Sequence, residues 1–298
     1  MQHPVPRVAA LHDMSGFGRT SLTVAIPILS AMGIQVCPLP TAILSTHTVE
    51  YTDYTLLDLT DEMARILEHW ERLGLAFDAV YSGFMACPEQ MEHVARCMDR
   101  CLVDGGLAVV DPVLGDNGVL DPTMTPEMVE GMRSLVGKAS LITPNFTEAA
   151  FLLDEPCRLS ITDEELIDWL HRLRAMGPDM VVITSVPSGE AGHMAVVAAQ
   201  GDPVRLWQVA SRHIPAHYPG TGDAFASVLT GSLLRGDSLP IALDRAVQFV
   251  NLGIRSTFGY GTPMREGIVL ERVLASLNAP LGESRYMPLT AEGKPCLP

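Results

Sequence analysis

Short apolar runs alternate with helical patterns along most of this chain, and that alternation limits its fold more than any other feature. Residues 7–13 (RVAALHD), 78–84 (DAVYSGF), 107–116 (LAVVDPVLGD), 140–145 (SLITPN) and 180–186 (MVVITSV) read as strands, and 35–48 (QVCPLPTAILSTHT) as extended chain. Helical periodicity fills the gaps, over 20–33, 61–74, 88–106 and 126–137, and from Thr162 to the Gly177-Pro178 break. The helix signals agree. Acidic residues open 61–74, Pro88 opens 88–106, and Thr162-Asp163-Glu164-Glu165 is a capping-box pattern. Pro27 is expected to kink 20–33 and Gly33 to stop it. Near-continuous apolar strands separated by helices call for an α/β chain, with a mostly parallel sheet covered on both faces.

After residue 186 the rhythm changes. Residues 193–211 read as a hairpin turning at Gln200–Pro203. Helices follow over 223–235, about 240–257 and near 267–278. A tail over about 280–298 is expected to be flexible. There are no repeats, low-complexity segments or linkers, so residues 1–298 are expected to form one domain.

With 298 residues, 47% of them hydrophobic, the chain can bury a substantial core. Its net charge of −15 argues against a nucleic-acid surface, which needs clustered Lys and Arg. No apolar run reaches the ~18 residues of a membrane span, and the N-terminus lacks the pattern of a signal peptide. The six cysteines include no C-x-x-C pair, which fits reduced thiols in the cytoplasm.

In parallel sheets, ligands bind beyond the carboxyl ends of the strands. At those ends the apolar bodies give way to polar groups: His12 and Asp13; His47 and Thr48; Phe84 after Ser82-Gly83; Asp111 and Asp116; Thr143, Asn145 and Glu148; Thr184 and Ser185. Taken singly, several have plain structural readings. Asp111 precedes a proline and can shape a turn, Glu148 can be a first-turn helix residue, and His47 can be a hydrogen-bonded strut. Their joint placement favours a cleft. Asp111, Asp116, Glu148 and Asp223 gathered there would repel one another unless a cation such as Mg²⁺ accompanied a phosphate ligand.

The stretch 217–236, HYPGTGDAFASVLTGSLLRG, places Gly220, Thr221, Gly222 and Asp223 at the mouth of an apolar helix. Unpaired N–H groups and the positive end of the helix dipole face outward at such a mouth. Asp223 either caps the helix or acts as a base beside an anion cradle, and the two glycines favour the cradle. Residues 12–21, HDMSGFGRTS, hold Gly16 and Gly18 but place Ser21 where a dinucleotide fingerprint needs its third glycine, and no Walker A motif is present.

GTGDAFAS after a hairpin, together with DPVLGDNG, ITPNFTEA, HDMSGFGR and PLPTAILSTHT, resembles the ribokinase superfamily, and within it the vitamin B6 (pyridoxal/pyridoxamine) kinases. The resemblance covers roughly residues 7–278. It implies a three-layer α/β/α fold, a homodimer, and use of ATP and Mg²⁺, with a monovalent-cation requirement left open. It also implies the site. Asp223 would be the base, and the backbone of Gly220, Thr221 and Gly222 would hold the transferring phosphoryl. Asp116 and Glu148 would organise Mg²⁺. Asp111, Thr143, Asn145, Thr184 and Ser185 would lie along ATP, and Asp13, His47, Thr48 and Phe84 would surround the pyridine ring. Asp13 and Phe84 depart from the Ser and Tyr found in many pyridoxal kinases, and a carboxylate at 13 is expected to favour amine-bearing or ring-protonated substrates. Two other readings stay open: hydroxymethylpyrimidine or another small alcohol as acceptor, and vitamer or nucleotide binding without turnover.

Overall fold

The computed structural model describes residues 4–188, 192–212, 214–280 and 282–296. Its strands are β1 (Arg7–Leu11), β2 (Met14–Ser15), β3 (Gln35–Pro38), β4 (Ala42–Leu44), β5 (Leu56–Asp58), β6 (Phe77–Ser82), β7 (Leu102–Val110), β8 (Gly115–Asp116), β9 (Val119–Leu120), β10 (Leu141–Ile142), β11 (Met180–Pro187), β12 (His193–Gln200), β13 (Arg205–Arg212) and β14 (Tyr286–Leu289). Its α-helices are α1 (Leu22–Ala31), α2 (Thr60–Arg72), α3 (Pro88–Cys101), α4 (Pro126–Val136), α5 (Phe146–Leu153), α6 (Asp163–Ala175), α7 (Thr221–Leu234) and α8 (Leu239–Tyr260).

Nine strands form the central sheet in the order β14-β13-β12-β11-β10-β7-β6-β1-β3. From β11 to β3 every pairing is parallel, and β12, β13 and β14 extend the sheet antiparallel. Alternate strand residues feed two apolar layers. Ala9, Leu11, Val80, Val110, Ile142, Val181 and Ile183 face helices α2–α6. Val8, Ala10, Ala79, Tyr81, Val109, Leu141 and Val182 face α1, α7 and α8. Because both faces are buried, these strands carry unbroken apolar runs.

The structure changes some expected boundaries. The helix read as 88–106 ends at Cys101, and residues 102–106 form the first half of strand β7. The reason is burial: the helix's inner stripe of Met91, Val94, Cys97, Met98 and Cys101 stops there. The helix expected near 267–278 is instead a set of short 3₁₀ turns at Met264–Glu266, Leu270–Arg272 and Leu274–Asn278. The tail includes strand β14, which pairs with β13 through Leu206–Leu289 and Val209–Tyr286. Leu281, Leu297 and Pro298, part of that expected tail, lie outside the described residues.

Candidate active site

Because β1, β6, β7, β10 and β11 run parallel, their carboxyl ends share one edge of the sheet. This brings His12, Asp13, Asp111, Thr143 and Thr184 to that edge, and the N-terminus of α7 meets it. Asp223 Oδ2 accepts a hydrogen bond from the Ser21 amide at 2.9 Å, and the Tyr81 hydroxyl lies 3.5 Å from the Asp223 carbonyl. Asp223 is half-buried, and its side chain makes no other hydrogen bond among the described residues. Burial pushes its carboxyl up to about 6, and the nearby Asp13 charge adds to the rise.

Gly220 caps α7 with φ of 80°. A Cβ there would run into the Arg19 carbonyl, so the left-handed conformation and the close approach both require glycine. The first intrahelical bond runs from Ala224 N to Gly220 O at 2.9 Å. Among the described residues, no protein acceptor is recorded for the N–H groups of Gly220, Thr221, Gly222 or Asp223. A Cβ on Gly222 would meet nothing within 4 Å. The turn therefore presents unpartnered N–H groups and open space beside a carboxylate of raised proton affinity, an arrangement able to take an anion.

Asp111 is 6% exposed and accepts from Thr143 Oγ1 at 2.8 Å. Burial and the Asp223 charge push its carboxyl up to about 7. Asn145 caps α5 in a full capping box. Its Oδ1 accepts from Glu148 N, while Glu148 Oε2 accepts from Asn145 N at 2.7 Å and Oε1 from Leu114 N at 3.2 Å. Glu148 is thus the first-turn helix residue of the plain reading. It is also a buried carboxylate pushed well up by burial and by the Asp111 and Asp116 charges. Asp116 is exposed on β8, and its Oδ2 lies 3.7 Å from His217 Nδ1. Thr184 bridges to Asn145, and Ser185 is exposed at a break in the β11–β12 register with φ of 57°.

The residues expected around a ring form a wall with roles of their own. His47 is 4% exposed. Its Nδ1 accepts from Val49 N at 3.1 Å, which fixes the tautomer so that Nε2–H donates to the Arg265 carbonyl at 2.6 Å. Both ring nitrogens are therefore occupied by backbone, as in the strut reading. Thr48 is half-buried beside it. Phe84 is half-buried against the core, and its carbonyl accepts from Thr41 Oγ1 at 3.2 Å. Asp13 is 5% exposed, with Oδ1 accepting from Ser21 Oγ and Oδ2 from Ser15 Oγ. Both oxygens are engaged by hydroxyls, so Asp13 offers the cleft no unpaired carboxylate oxygen.

One supporting residue was not singled out from sequence. Gln90 is fully buried in α3. It donates to the Thr41 carbonyl at 3.0 Å and to Thr60 Oγ1 at 2.9 Å, and accepts from Ala86 N at 2.8 Å. The signal was available: an amide sits where the apolar stripe of 88–101 would continue. Gln90→Leu should destabilise the protein by ~1–3 kcal/mol, because it leaves the part-buried Ala86 amide and Thr60 hydroxyl without this partner; chemical denaturation checks this. His12 lies edge-on to Tyr81 at 4.3 Å, and burial drives its imidazole down to about 3, so it stays neutral. A cavity of about 780 Å³ opens at the opposite edge of the sheet, between Pro6, Asp78, Leu107, Met180 and Trp207, and shares no residue with this cleft. The candidate site rests on the convergence of strand ends on the α7 turn, not on cavity size.

Fold and edge geometry together define a ribokinase-like α/β/α protein. The family model for phosphomethylpyrimidine kinase matches residues 26–267, and the chain belongs to that family. It is 52% identical, with a TM-score of 0.92, to a Bacteroides thetaiotaomicron protein given provisionally as a phosphomethylpyrimidine kinase and crystallised with pyridoxal; the match covers 96% of this chain and 100% of that one. It is 27% identical to a pyridoxal kinase of Leifsonia xyli subsp. xyli over 262 residues, 86% of this chain and 90% of the relative. A pyridoxal kinase from Leishmania donovani in complex with ADP and pyridoxamine shares the fold, with 21% identity and a TM-score of 0.83 over 96% of this chain and 100% of that one.

Proposed function

We propose that this protein is an ATP-dependent kinase that phosphorylates the 5′-hydroxymethyl group of a vitamin B6 form, acting in the cytoplasm in salvage of pyridoxal phosphate. The observation that carries the reading is the pairing of Asp223 with the unpartnered N–H groups of Gly220, Thr221 and Gly222. Asp223 Oδ1 takes the proton of the acceptor hydroxyl, whose oxygen forms the new bond to the γ-phosphorus. The bond from that phosphorus to the β,γ-bridging oxygen breaks, and ADP leaves with its electron pair. The turn's N–H groups hold the transferring phosphoryl, and phosphoryl transfer depends on such positioning and charge stabilisation.

Asp111, Thr143, Asn145, Thr184 and Ser185 are assigned to the nucleotide side, and His47, Thr48, Phe84 and the Asp13 loop to the acceptor side. Among the described residues no three His, Cys, Asp or Glu side chains cluster to hold a bare metal ion, so Asp116 and Glu148 would suit Mg²⁺ only as an ion that keeps water and phosphate ligands. Buried Glu148 and exposed Asp116 act on one another electrostatically, and raised proton affinity marks a site short of positive charge. Glu148's oxygens already accept two backbone N–H groups, so it would reach the ion through water, as Mg²⁺ sites commonly do. When bound with ATP, the ion would neutralise phosphate charge.

The homodimer has a candidate face in the small sheet β2-β4-β5. There Met14, Ile43 and Leu57 align across the register and are 43%, 44% and 56% exposed. Such a row suits burial against a second copy.

The family model favours a second reading, with hydroxymethylpyrimidine or its phosphate as acceptor. One experiment separates the two: ADP release with Mg-ATP against pyridoxal, pyridoxamine, pyridoxine, hydroxymethylpyrimidine, hydroxymethylpyrimidine phosphate and ribose. Turnover on a B6 vitamer is expected. Turnover on the pyrimidine alone would replace the substrate and keep the mechanism. Binding without turnover on any acceptor would sink the kinase reading.

A further inference from the structure

Ser21 occupies the N-cap position of α1 but does not cap it: its side chain makes no bond to the helix. Its backbone sits at φ 51°, ψ −127°, a conformation that L residues rarely adopt. Such a backbone persists only when its surroundings over-determine it, and here they do. Ser21 Oγ donates to Asp13 Oδ1, and the next amide, Leu22 N, donates to the Asp13 carbonyl at 3.1 Å. Held this way, the Ser21 amide points at Asp223 and donates to Oδ2 at 2.9 Å. Asp13 is itself braced by Ser15 Oγ at 3.2 Å.

We propose that Asp13 and Ser21 are a positioning pair for the base: the Asp13 carboxylate clamps Ser21 in a strained backbone, and the Ser21 amide then holds Asp223 Oδ2, leaving Oδ1 to face the acceptor hydroxyl. This rests on the reading of Asp223 as base. It gives Asp13 a role different from pairing with a substrate ammonium. The arrangement does two things. It fixes the carboxylate geometrically, where a displacement of about 1 Å can cost ~10²-fold in rate. It also places a second buried carboxylate close enough to raise the proton affinity of Asp223, towards the working range of a general base.

The groups that face Asp223 are Ser21 on α1, Asp13 after β1, Tyr81 on β6 and Asp111 after β7. Of these, Asp13→Asn removes a negative charge and weakens the Ser21 clamp from a charged to a neutral acceptor, while preserving size.

The test uses Asp13→Asn and Ser21→Ala in the full chain, with Mg-ATP and whichever of pyridoxal or hydroxymethylpyrimidine turns over. Both variants should lose kcat by about 10–100-fold, with acceptor KM changed less than about threefold. In Asp13→Asn, losing a like charge should shift the Asp223 titration to lower pH, and the acidic limb of kcat with it. Carboxyl-carbon NMR of the full chain reads that titration without turnover, so it still reports if Asp223→Asn proves active and the base reading falls. The double variant Asp13→Asn/Asp223→Asn should be no slower than Asp223→Asn alone. A normal kcat and an unmoved Asp223 titration in Asp13→Asn would overturn the pair. So would a rise in acceptor KM at unchanged kcat, which would make Asp13 a substrate contact instead.

Discussion

Asp223→Asn should turn over at least 10²-fold, and up to about 10⁴-fold, more slowly than wild type, while binding ATP normally and unfolding at higher temperature. The rate loss follows from removing the proton acceptor without disturbing shape. The stability gain follows from the sign of the pKa shift. Asp223 is raised from 3.8 to about 6 in the fold, so the folded state binds its proton more tightly than the unfolded chain does. Protonation therefore stabilises the fold below about pH 6, and above it the ionised group is a standing cost that falls away as pH drops towards 4. Asparagine removes that cost, by ~1–3 kcal/mol at pH 8 after discounting for the half-exposed side chain. The same shift shapes the wild-type rate profile. The base must be ionised, so kcat should fall as pH drops through about 6. Steady-state kinetics from pH 5 to 9, beside thermal melts at pH 8, check both halves. A variant that kept its rate would remove Asp223 from the chemistry. A variant that lost rate and melted lower would make it a structural cap.

A stable, inactive variant would also explain why the edge carries so many buried acids. Asp13, Asp111 and Glu148 all have proton affinities raised first by burial, and all gather where the apolar strands end. A fold selected only for stability would not collect them. In the proposed kinase, a cation arriving with the phosphate ligands would supply the compensating charge, and would link ligand binding to relief of this repulsion.

The sheet was legible because its strands are buried on both faces and bounded by recognisable turns and caps. The Thr162–Glu165 capping box is present as the sequence pattern indicates. Of helix α5 only the start was legible, through Glu148 as a first-turn residue, because six of its eight residues are buried and the segment FTEAAFLL therefore shows no amphipathic period. Strand β14 was hidden for the opposite reason: its residues are half-exposed at the sheet edge, and only pairing with β13 defines it. At the site, residue types at strand ends could be read, but the partners they choose could not. The Ser21 contact to Asp223 is made by a backbone amide, which no side-chain pattern reveals. His47 had a strut reading from sequence, but its partners, the Val49 amide and Arg265 carbonyl, and the two serine hydroxyls that engage Asp13, had no signal there.

The two glycines of the cradle should fail in different ways. Gly222→Ala should keep the wild-type melting temperature to within about 2 °C, since an exposed change that meets nothing within 4 Å costs little. The new methyl group would still stand in the space a phosphoryl needs, so kcat should fall about 10²–10³-fold, the scale of losing one preorganised oxyanion donor. Gly220→Ala should lose both properties. At φ 80° an alanine is strained, and its Cβ meets the Arg19 carbonyl, so the turn must shift away from the loop that carries Ser21. That strain costs ~1–3 kcal/mol in stability, and the shift disturbs the cradle and the Ser21–Asp223 contact together. Melting curves and single-turnover phosphoryl transfer on both variants decide the matter. If Gly222→Ala retained full activity, the transferring group would not lie on this turn, and the anion cradle would have to be sought elsewhere along the sheet edge. If Gly220→Ala alone lost activity, the turn would matter only as the support that aims Asp223.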